Sequence, residues 1–282
     1  MIITFATAWY ELNSKFGKEQ YYIWAENLLK NVNKFNLIVY VENIESVKLI
    51  KKLSNKNPKI YTIIYPFENL PLYEKYANLF EENHKKNTEL NKRVTWKLIL
   101  LWCSKQYFVE KTELEIKKKN NQYPSFTTEY YGWMDIGYFR CRKEIYGELS
   151  KEQIAQYPNN DKIKLLKKDK IHYALVEPNM IEQLKKYVYN RNNNNLPIIP
   201  IPVNQVSIAG GFFILAGGGM SSIWRENFEL HLIKYLNNNY VVKDDQYIII
   251  DIMLLNNDKF ELWTENKNYN IDTWFLFQRL LF

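Results

Sequence analysis

Apolar residues in the first quarter of the chain alternate between short continuous runs and runs with helical spacing. The segments IITFATA (2–8), NLIVYVE (36–42) and KIYTIIYPF (59–67) are short and rich in β-branched or aromatic residues, which is typical of buried strands. Residues 19–35 carry apolar side chains at helical spacing, and the pattern over 44–54 predicts a short helix. Strands that alternate with helices predict βαβ units and therefore a mostly parallel sheet.

The rest of the chain continues this alternation, with irregular connections between the elements. The predicted elements are, in order, a helix over about 90–107, a lysine-rich loop over 111–123, a strand at YYGWM (130–134), a strand over 170–178, a helix over 179–189, a proline-spaced loop over 192–202, a helix over 220–236, a buried helix after 244–246 and a strand over 260–263. Ser221 or Ser222 is the predicted cap of the 220–236 helix. Because the alternation resumes after the proline-spaced loop, we expect one α/β domain over 1–282, with a mostly parallel central sheet flanked by helices.

The composition indicates a folded protein, and the sequence also bears on the cellular compartment. Hydrophobic residues make up 46% of the 282 residues and aromatic residues 16%, which indicates a globular domain with a substantial core. The N-terminus lacks the pattern of a signal peptide, and the apolar run at 206–220 is too short and glycine-rich to span a bilayer. Cys103 and Cys141 form no disulfide or metal pattern. We therefore expect a cytoplasmic protein without a transmembrane segment.

The net charge of +7 favours an anionic partner such as a nucleotide, a polyphosphate, a nucleic acid or an acidic lipid. The lysines are scattered, and their densest run, KIKLLKKDK at 162–170, is interrupted by apolar residues and an aspartate. We therefore expect no nucleic acid as the main partner. The three histidines are also scattered, which argues against a histidine-rich metal site.

Ligands of parallel α/β sheets bind in the crevice at the carboxyl ends of the strands. Candidate residues are therefore those that directly follow a predicted strand or flank one. They are Thr7, Ala8, Trp9, Tyr10, Glu42, Asn43, Asp135, the glycines within 209–219, Asp244, Asp245 and Gln246.

Asp135 ends an aromatic run and is followed two residues later by Gly137. Taken alone, this pattern is typical of a turn in which the aspartate caps the backbone before the glycine. A carboxylate at the carboxyl end of a strand is also where Mg²⁺ or Mn²⁺ bound to a diphosphate is held, since these ions take carboxylates together with phosphate oxygens and water. Both interpretations remain open on this evidence.

The glycines of AGGFFILAGGG flank a short apolar strand and match neither GxGxxG nor the P-loop. Such backbone either donates N–H groups to a ligand or serves tight packing and turns. Asp244 and Asp245 precede an apolar helix, where an aspartate is most often an N-cap. The alternative is that one of the two carboxylates faces the cleft as a general base or a sugar-positioning group.

Two further segments also allow two interpretations. Lys97 lies within the apolar turn TWKLILLW, so its ammonium either extends to solvent or reaches into the cleft toward phosphate or Asp135. The rings of Trp9 and Tyr10 either stack on a nucleobase or complete the edge of the core.

In chain order, these segments resemble the HtrL/YibB (WlaTC) group of glycosyltransferases. The resemblance rests on TAWY, VYVE, the W-K-L helix, WMDIGYFR (133–140), AGGFF (209–213) and DDQ (244–246), and it extends from about residue 3 to 265. It implies a GT-A type fold in which about 1–140 bind the nucleotide and about 141–282 carry the acceptor and catalytic parts. The implied activity is hexosyltransferase-like: a sugar moves from a nucleotide-diphosphate donor, such as a UDP-sugar, to a hydroxyl of a glycan, a lipid-linked or a protein-linked acceptor.

The resemblance also implies roles for individual residues. Asp135 takes the place of the metal-holding acidic motif, with Mn²⁺ or Mg²⁺ as the cofactor, and Gly137 stands where many GT-A enzymes have a second aspartate. The residues implied to bind the donor nucleotide are Thr7, Ala8, Trp9, Tyr10, Glu42, Asn43, Lys97 and Arg140. Gly210, Gly211 and Gln246 are implied to border the sugar or acceptor, and Asp245, or its neighbour Asp244, to be the catalytic carboxylate.

Two other functions fit parts of the sequence. A nucleotidyltransferase on a similar sheet usually has a glycine-rich basic loop near the first strand, and TAWYELNSKFG lacks one. A non-catalytic relative would bind sugar or polyanion through tyrosines and lysines. The response to nucleotides and the dependence of binding on salt separate these functions.

Overall fold

A computed structural model describes residues 2–118, 128–142, 147–265 and 271–282. Within these ranges, seven strands form one sheet in the order β3-β2-β1-β4-β6-β5-β7. The strands are β1 Ile3–Trp9, β2 Asn36–Val41, β3 Ile60–Ile64, β4 Tyr130–Met134, β5 Ile171–Leu175, β6 Ile208–Ala216 and β7 Phe260–Trp263.

Helices connect most of these strands. In the described part of the chain they are α1 Lys18–Leu29, α2 Ile44–Leu53, α3 Pro71–Lys85, α4 Trp96–Cys103, α5 Lys105–Lys118, α6 Lys151–Ile154, α7 Asn160–Lys164, α8 Pro178–Tyr189, α9 Met220–Asn237, α10 Asp245–Leu255 and α11 Leu276–Leu280. Within the same ranges, no helix is both long enough and apolar enough to cross a membrane.

The sheet is mostly parallel, as the alternation of strands and helices predicts. β1 pairs in parallel with β2 and β4, β2 pairs in parallel with β3, and β5 pairs in parallel with β7. Only β6, of the described strands, runs antiparallel to its two neighbours, β4 and β5. The predicted α/β fold class is therefore confirmed. The division near residue 140 into nucleotide and acceptor parts stays a prediction.

Each face of the sheet packs against its own layer of helices. On β1, the side chains of Ala6 and Ala8 face one layer, while Ile3, Phe5 and Trp9 face the other. The first layer contains α3, α4, α5, α8, α9 and α10, and the second contains α1, α2, α6, α7 and α11. Strands buried on both faces read as nearly continuous apolar runs, which is why they are visible in the sequence.

The structure corrects the predicted helices between β3 and β4. α3 was not predicted, although Pro71 at its first turn and the buried Leu72 and Phe80 are helix signals. The helix predicted over 90–107 begins only at Trp96 and is interrupted at Ser104.

The loop predicted over 111–123 is wrong for 111–118, which form the second half of α5. Lys117 and Lys118 are exposed on that helix, while Thr112, Glu113 and Ile116 are buried at helical spacing. Residues 119–123 lie outside the described residues.

The predicted serine cap of α9 is also wrong. The N-cap is Gly219, whose φ of 102° lies in the left-handed region that glycine adopts without strain. The Ser221 hydroxyl instead donates to the buried carboxylate of Glu113. The same carboxylate accepts from the backbone N–H groups of Gly218 at 2.8 Å and Gly219 at 3.2 Å.

Candidate functional site

The end of β4 and the start of β6 meet at one edge of the sheet. Because β6 is antiparallel to β4, Met134 is paired with Phe212, and the backbone N–H of Asp135 donates to the carbonyl of Gly211 at 2.9 Å. The carboxyl ends of β1 and β2 point to the same edge, since both are parallel to β4. This is the position at which ligands of parallel α/β sheets bind.

A buried lysine joins the two aspartates that the sequence placed at this edge. Lys105, the first residue of α5, has its Nζ 3.0 Å from Asp245 Oδ2 and 3.4 Å from Asp135 Oδ1. The same Nζ donates to the carbonyl of Gly210 at 2.8 Å. The side chains of Lys105 and Asp245 are only 4% and 2% exposed, whereas that of Asp135 is 34% exposed. Asp135 is therefore the member of this cluster that a ligand reaches first.

The electrostatics of the cluster follow from this burial. Desolvation alone would lower the pKa of Lys105, but the adjacent Asp135 and Asp245 carboxylates outweigh it and raise the pKa. Burial raises the pKa of Asp245 to about 6, although the Lys105 ammonium opposes the shift. The lysine is therefore a permanent cation, placed between two carboxylates of different exposure.

Asp135 is held in a fixed orientation. The indole Nε1 of Trp133 donates to Asp135 Oδ1 at 2.6 Å. Trp133 is itself fixed, because its ring stacks on Phe108 at a centroid distance of 5.6 Å. A side chain oriented by both a neighbouring indole and a packed aromatic layer is suited to binding without reorganisation.

Two glycines near the start of β6, Gly210 and Gly211, leave room for these carboxylates. A Cβ on Gly211 would lie 2.9 Å from Asp135 Oδ2, and one on Gly210 would lie 3.0 Å from Asp245 Oδ2. The approach at Gly211 is closer than real Cβ atoms show, and a Cβ on Gly210 would also lie 2.8 Å from Gln246 Cγ. Tight packing, one of the two alternatives for these glycines, is therefore what the structure shows at 210 and 211. Their role in binding sugar or acceptor stays a prediction.

We expect Gly211→Ala to displace the Asp135 side chain and to destabilise the protein by about 1–3 kcal/mol, because the added methyl group overpacks a filled space. Urea unfolding measures this change. Gly17→Ala is the comparison variant without a steric contact, since a Cβ there meets nothing within 4 Å; it carries only the cost of replacing glycine at the N-cap of α1. Equal stability changes in the two variants would contradict this account of Gly211.

The two adjacent aspartates at the start of α10 have different positions. Asp244 is the N-cap of α10, and its Oδ1 accepts from the backbone N–H of Tyr247 at 3.3 Å. Asp245 begins the helix and turns inward to Lys105. The capping alternative is thus confirmed for Asp244. Asp245 is a buried carboxylate in the wall of the cleft, and its catalytic role stays a prediction.

A cleft runs along this edge of the sheet in three connected parts. The first part has a volume of about 420 Å³, within the range of ligand pockets, and is lined by Ala8, Trp9, Tyr10, Lys105, Asp135 and Arg140. The second shares Tyr10 with the first and adds Glu42, Asn43, Phe67 and Lys97. The third shares Lys105, Asp135 and Arg140 with the first and adds Gly211, Asp244, Asp245, Gln246 and Trp274.

Most of the residues predicted to bind the donor line this cleft. Thr7 does not: it is fully buried within β1. The Tyr10 hydroxyl donates to the carbonyl of Tyr65 at 2.6 Å, which fixes its ring at the junction of the first two parts. Asn43 caps α2, because its side chain accepts from the backbone N–H of Ser46. The carboxylate of Glu42 accepts from the backbone N–H of Phe67. Burial raises the pKa of Glu42.

Lys97 and Arg140 occupy different parts of the cleft. The Lys97 ammonium lies over the rings of Phe67 and Tyr73, at 5.7 Å from each centroid, in the part that Asp135 does not line. Arg140 lies beside Asp135, with its guanidinium 4.7 Å from the centre of the Trp24 ring. The cation that contacts Asp135 is Lys105, which the sequence analysis did not select.

The glycines at the other end of β6 belong to the opposite edge of the sheet. Gly217 N–H donates to the carbonyl of Glu129, which precedes β4, and the next two glycines donate to the carboxylate of Glu113. Their N–H groups are therefore used within the protein, and the alternative in which they bind a ligand is wrong for Gly218 and Gly219.

The resemblance implies a divalent cation at Asp135, and the chemistry of the cluster limits how one could be held. Over the described ranges, no group of three or more His, Cys, Asp and Glu side chains could hold a metal ion. Asp245 is buried against Lys105, which leaves the partly exposed Asp135 as the accessible carboxylate. The residues thus fit a cation shared between one protein carboxylate and the phosphate oxygens of a substrate, and do not fit one held by the protein alone.

Comparisons with known proteins give only distant similarities. No family model and no curated protein sequence matches the chain. The structure is similar to mouse xyloside xylosyltransferase 1 in its apo form, with 13% identity, coverage of 93% of this chain and 84% of that chain, and a TM-score of 0.45. It is also similar to core-mannan synthase A (CmsA/Ktr4) from Aspergillus fumigatus in an Mn/GDP form, with 9% identity, coverage of 96% and 76%, and a TM-score of 0.41. Similarities at this level carry no argument about activity, and the resemblance to the HtrL/YibB group stays a prediction.

Proposed function

We propose that the protein is a glycosyltransferase that moves a sugar from a nucleotide-diphosphate donor to an acceptor hydroxyl. The observation that carries the proposal is the Lys105–Asp135–Asp245 cluster in a cleft at the carboxyl edge of a mostly parallel sheet. The order of the sequence motifs around this cleft supports the same function.

The division of charge along the cleft suits such a donor. The second part contains Glu42, Asn43 and the ring of Tyr10, which offer acceptors for ribose or base and a surface for stacking. The first part contains the cations Lys105 and Arg140. In this proposal the nucleoside occupies the second part, and the diphosphate lies in the first part near Asp135.

Transfer requires stabilisation of the negative charge that develops on the leaving diphosphate. Arg140 supplies positive charge beside that position, while Lys105 offsets the charge of the Asp135 and Asp245 carboxylates. A divalent cation such as Mn²⁺, when bound through Asp135 and the donor phosphates, would supply Lewis-acid stabilisation of the same charge.

The acceptor side of the site is the third part of the cleft, which Gly211, Asp245 and Gln246 line. In an inverting transfer, the Asp245 carboxylate accepts the proton of the acceptor hydroxyl. In a retaining transfer, it positions the sugar. The acceptor is a hydroxyl of a glycan or of a lipid-linked or protein-linked sugar.

A nucleotide screen tests this proposal. We expect one of UDP, GDP and CMP, added with Mn²⁺, to raise the melting temperature, because a ligand that binds only the folded state stabilises it. The response should be strongest for one base and should weaken in Asp135→Ala. Lys185→Ala is the control, since Lys185 pairs with Glu182 on the exposed surface of α8.

A second measurement addresses Asp135 directly. With the donor that the screen identifies, Asp135→Ala should lose metal-dependent donor hydrolysis. Unchanged metal-dependent turnover would remove Asp135 from this role. The absence of any nucleotide response, together with strongly salt-sensitive binding of polyanions, would instead favour the non-catalytic binder.

A further inference from the structure

The Lys105 ammonium is surrounded by oxygens. A lysine ammonium has three N–H donors, and three oxygens lie within 3.4 Å of this one: Gly210 O at 2.8 Å, Asp245 Oδ2 at 3.0 Å and Asp135 Oδ1 at 3.4 Å. Its side chain is 4% exposed. The ammonium thus makes one hydrogen bond, to the Gly210 carbonyl, and two close ion-pair contacts, and little of it remains for water.

Burial of the Lys105 ammonium is stabilised by the negative charge around it. Burying an isolated ammonium costs several kcal/mol, which only close carboxylates and good hydrogen bonds offset. The chain positions all three oxygens from separate elements, namely the end of β4, the start of β6 and the start of α10. The arrangement around Nζ is therefore a cation site that the protein itself fills.

The same three oxygens are of the kind that hard divalent cations bind. Two carboxylates and a backbone carbonyl are typical ligands of Ca²⁺, Mg²⁺ and Mn²⁺, which sit at about 2.0–2.6 Å from their oxygens. The observed distances of 2.8–3.4 Å would have to shorten by less than about 1.5 Å. The lysine therefore occupies the point at which a divalent cation would bridge Asp135 and Asp245.

We propose that Lys105 is the resident cation of the Asp135–Asp245 pair and keeps divalent ions from bridging the two carboxylates. The nucleotide-free protein then has no divalent-ion site at this pair, and removal of the ammonium creates one. A second consequence rests on the proposed function: a metal ion reaches Asp135 only together with the phosphates of the donor.

The test measures Mn²⁺ binding to the full chain without nucleotide. The electron paramagnetic resonance signal of free Mn²⁺ reports how much of the ion is bound. We expect no binding to the wild type up to about 1 mM, and binding to Lys105→Ala at least about tenfold tighter, with a Kd near 10⁻⁴ M as in weak oxygen-ligand sites. Lys97→Ala is the matched control, because Lys97 lies in the same cleft away from both aspartates. It should behave as the wild type.

A double variant assigns the new site to this pair of carboxylates. Lys105→Ala combined with Asp245→Asn should lose the Mn²⁺ binding that Lys105→Ala gains. If Lys105→Ala folds only when Mn²⁺ is added, as seen by circular dichroism, that rescue counts as the same gain. Folding without any gain in Mn²⁺ binding, or failure to fold with and without the metal, would overturn the proposal.

The proposal would also be overturned if the nucleotide-free wild type binds Mn²⁺ and this binding is lost in Asp135→Asn or in Asp245→Asn. These measurements use no nucleotide and no turnover. Failure of the nucleotide screen would therefore refute the proposed glycosyltransferase without changing the result for Lys105.

Discussion

Replacing Asp245 with asparagine is expected to lower the rate of sugar transfer by about 10²–10⁴-fold, because the variant keeps the shape of the side chain and loses its ability to accept a proton. This prediction assumes an inverting transfer. Steady-state kinetics with the donor that the nucleotide screen identifies would measure kcat. The melting-temperature response to the nucleotide should be kept, since Asp245 lines the third part of the cleft and the nucleoside is placed in the second.

Asp244→Asn is the matched control for this variant. Asparagine is as good an N-cap as aspartate, so α10 should keep its cap, and transfer should stay near the wild-type rate. Full activity of Asp245→Asn would exclude Asp245 as the base. Because this variant keeps the cap, a comparable loss in Asp244→Asn would instead favour Asp244 as the catalytic carboxylate.

Replacing Lys105 with methionine is expected to reduce the free energy of unfolding by about 3–5 kcal/mol at neutral pH. Methionine fills a similar volume, so the loss comes from leaving the Asp135 and Asp245 carboxylates without their cation. Urea denaturation with a two-state fit measures it. The deficit should narrow as the pH falls toward about 6. Burial raises the pKa of Asp245 to about 6 with Lys105 in place, and loss of the opposing ammonium raises it further, so the folded variant takes up this proton at a higher pH than the folded wild type.

A double variant separates charge from packing in this result. Lys105→Met combined with Asp245→Asn should recover part of the lost stability, because a buried neutral amide costs less than an unpaired carboxylate. Lys185→Met should change stability by less than about 1 kcal/mol, as expected for an exposed ion pair. A loss below about 1 kcal/mol in Lys105→Met would show that the buried ion pairs contribute little net stability.

The position of Asp135 and Asp245 could be predicted because it depends on local order along the chain. Both directly follow or precede an apolar element, and in a parallel sheet the ends of successive strands share one edge. Lys105 could not be found in this way. The interruption at Ser104 and the packing of α5 against the sheet decide which lysine reaches the edge, and these depend on contacts distant in sequence.

The two glycine groups of β6 show a different limit. A strand has a side-chain period of two whether it is parallel or antiparallel, so the pattern does not give its direction. Gly210 and Gly211 lie at the candidate site because β6 runs against β4, and Gly217, Gly218 and Gly219 lie at the far edge for the same reason. The residue pattern alone made both groups candidates, and only the resemblance selected Gly210 and Gly211.

The glycine turn before α9, residues 217–219, resembles a phosphate-binding loop in which a side chain of the protein takes the place of the anion. The Glu113 carboxylate sits where a free anion would sit at the N-terminus of a helix, and the Lys117 ammonium, 2.6 Å from it, acts as its counter-ion. Hydrogen bonds to this carboxylate from Lys117 and Ser221 outweigh its desolvation and lower its pKa. The conformation of this turn therefore does not depend on a bound anion from solution, because Glu113 occupies the anion position.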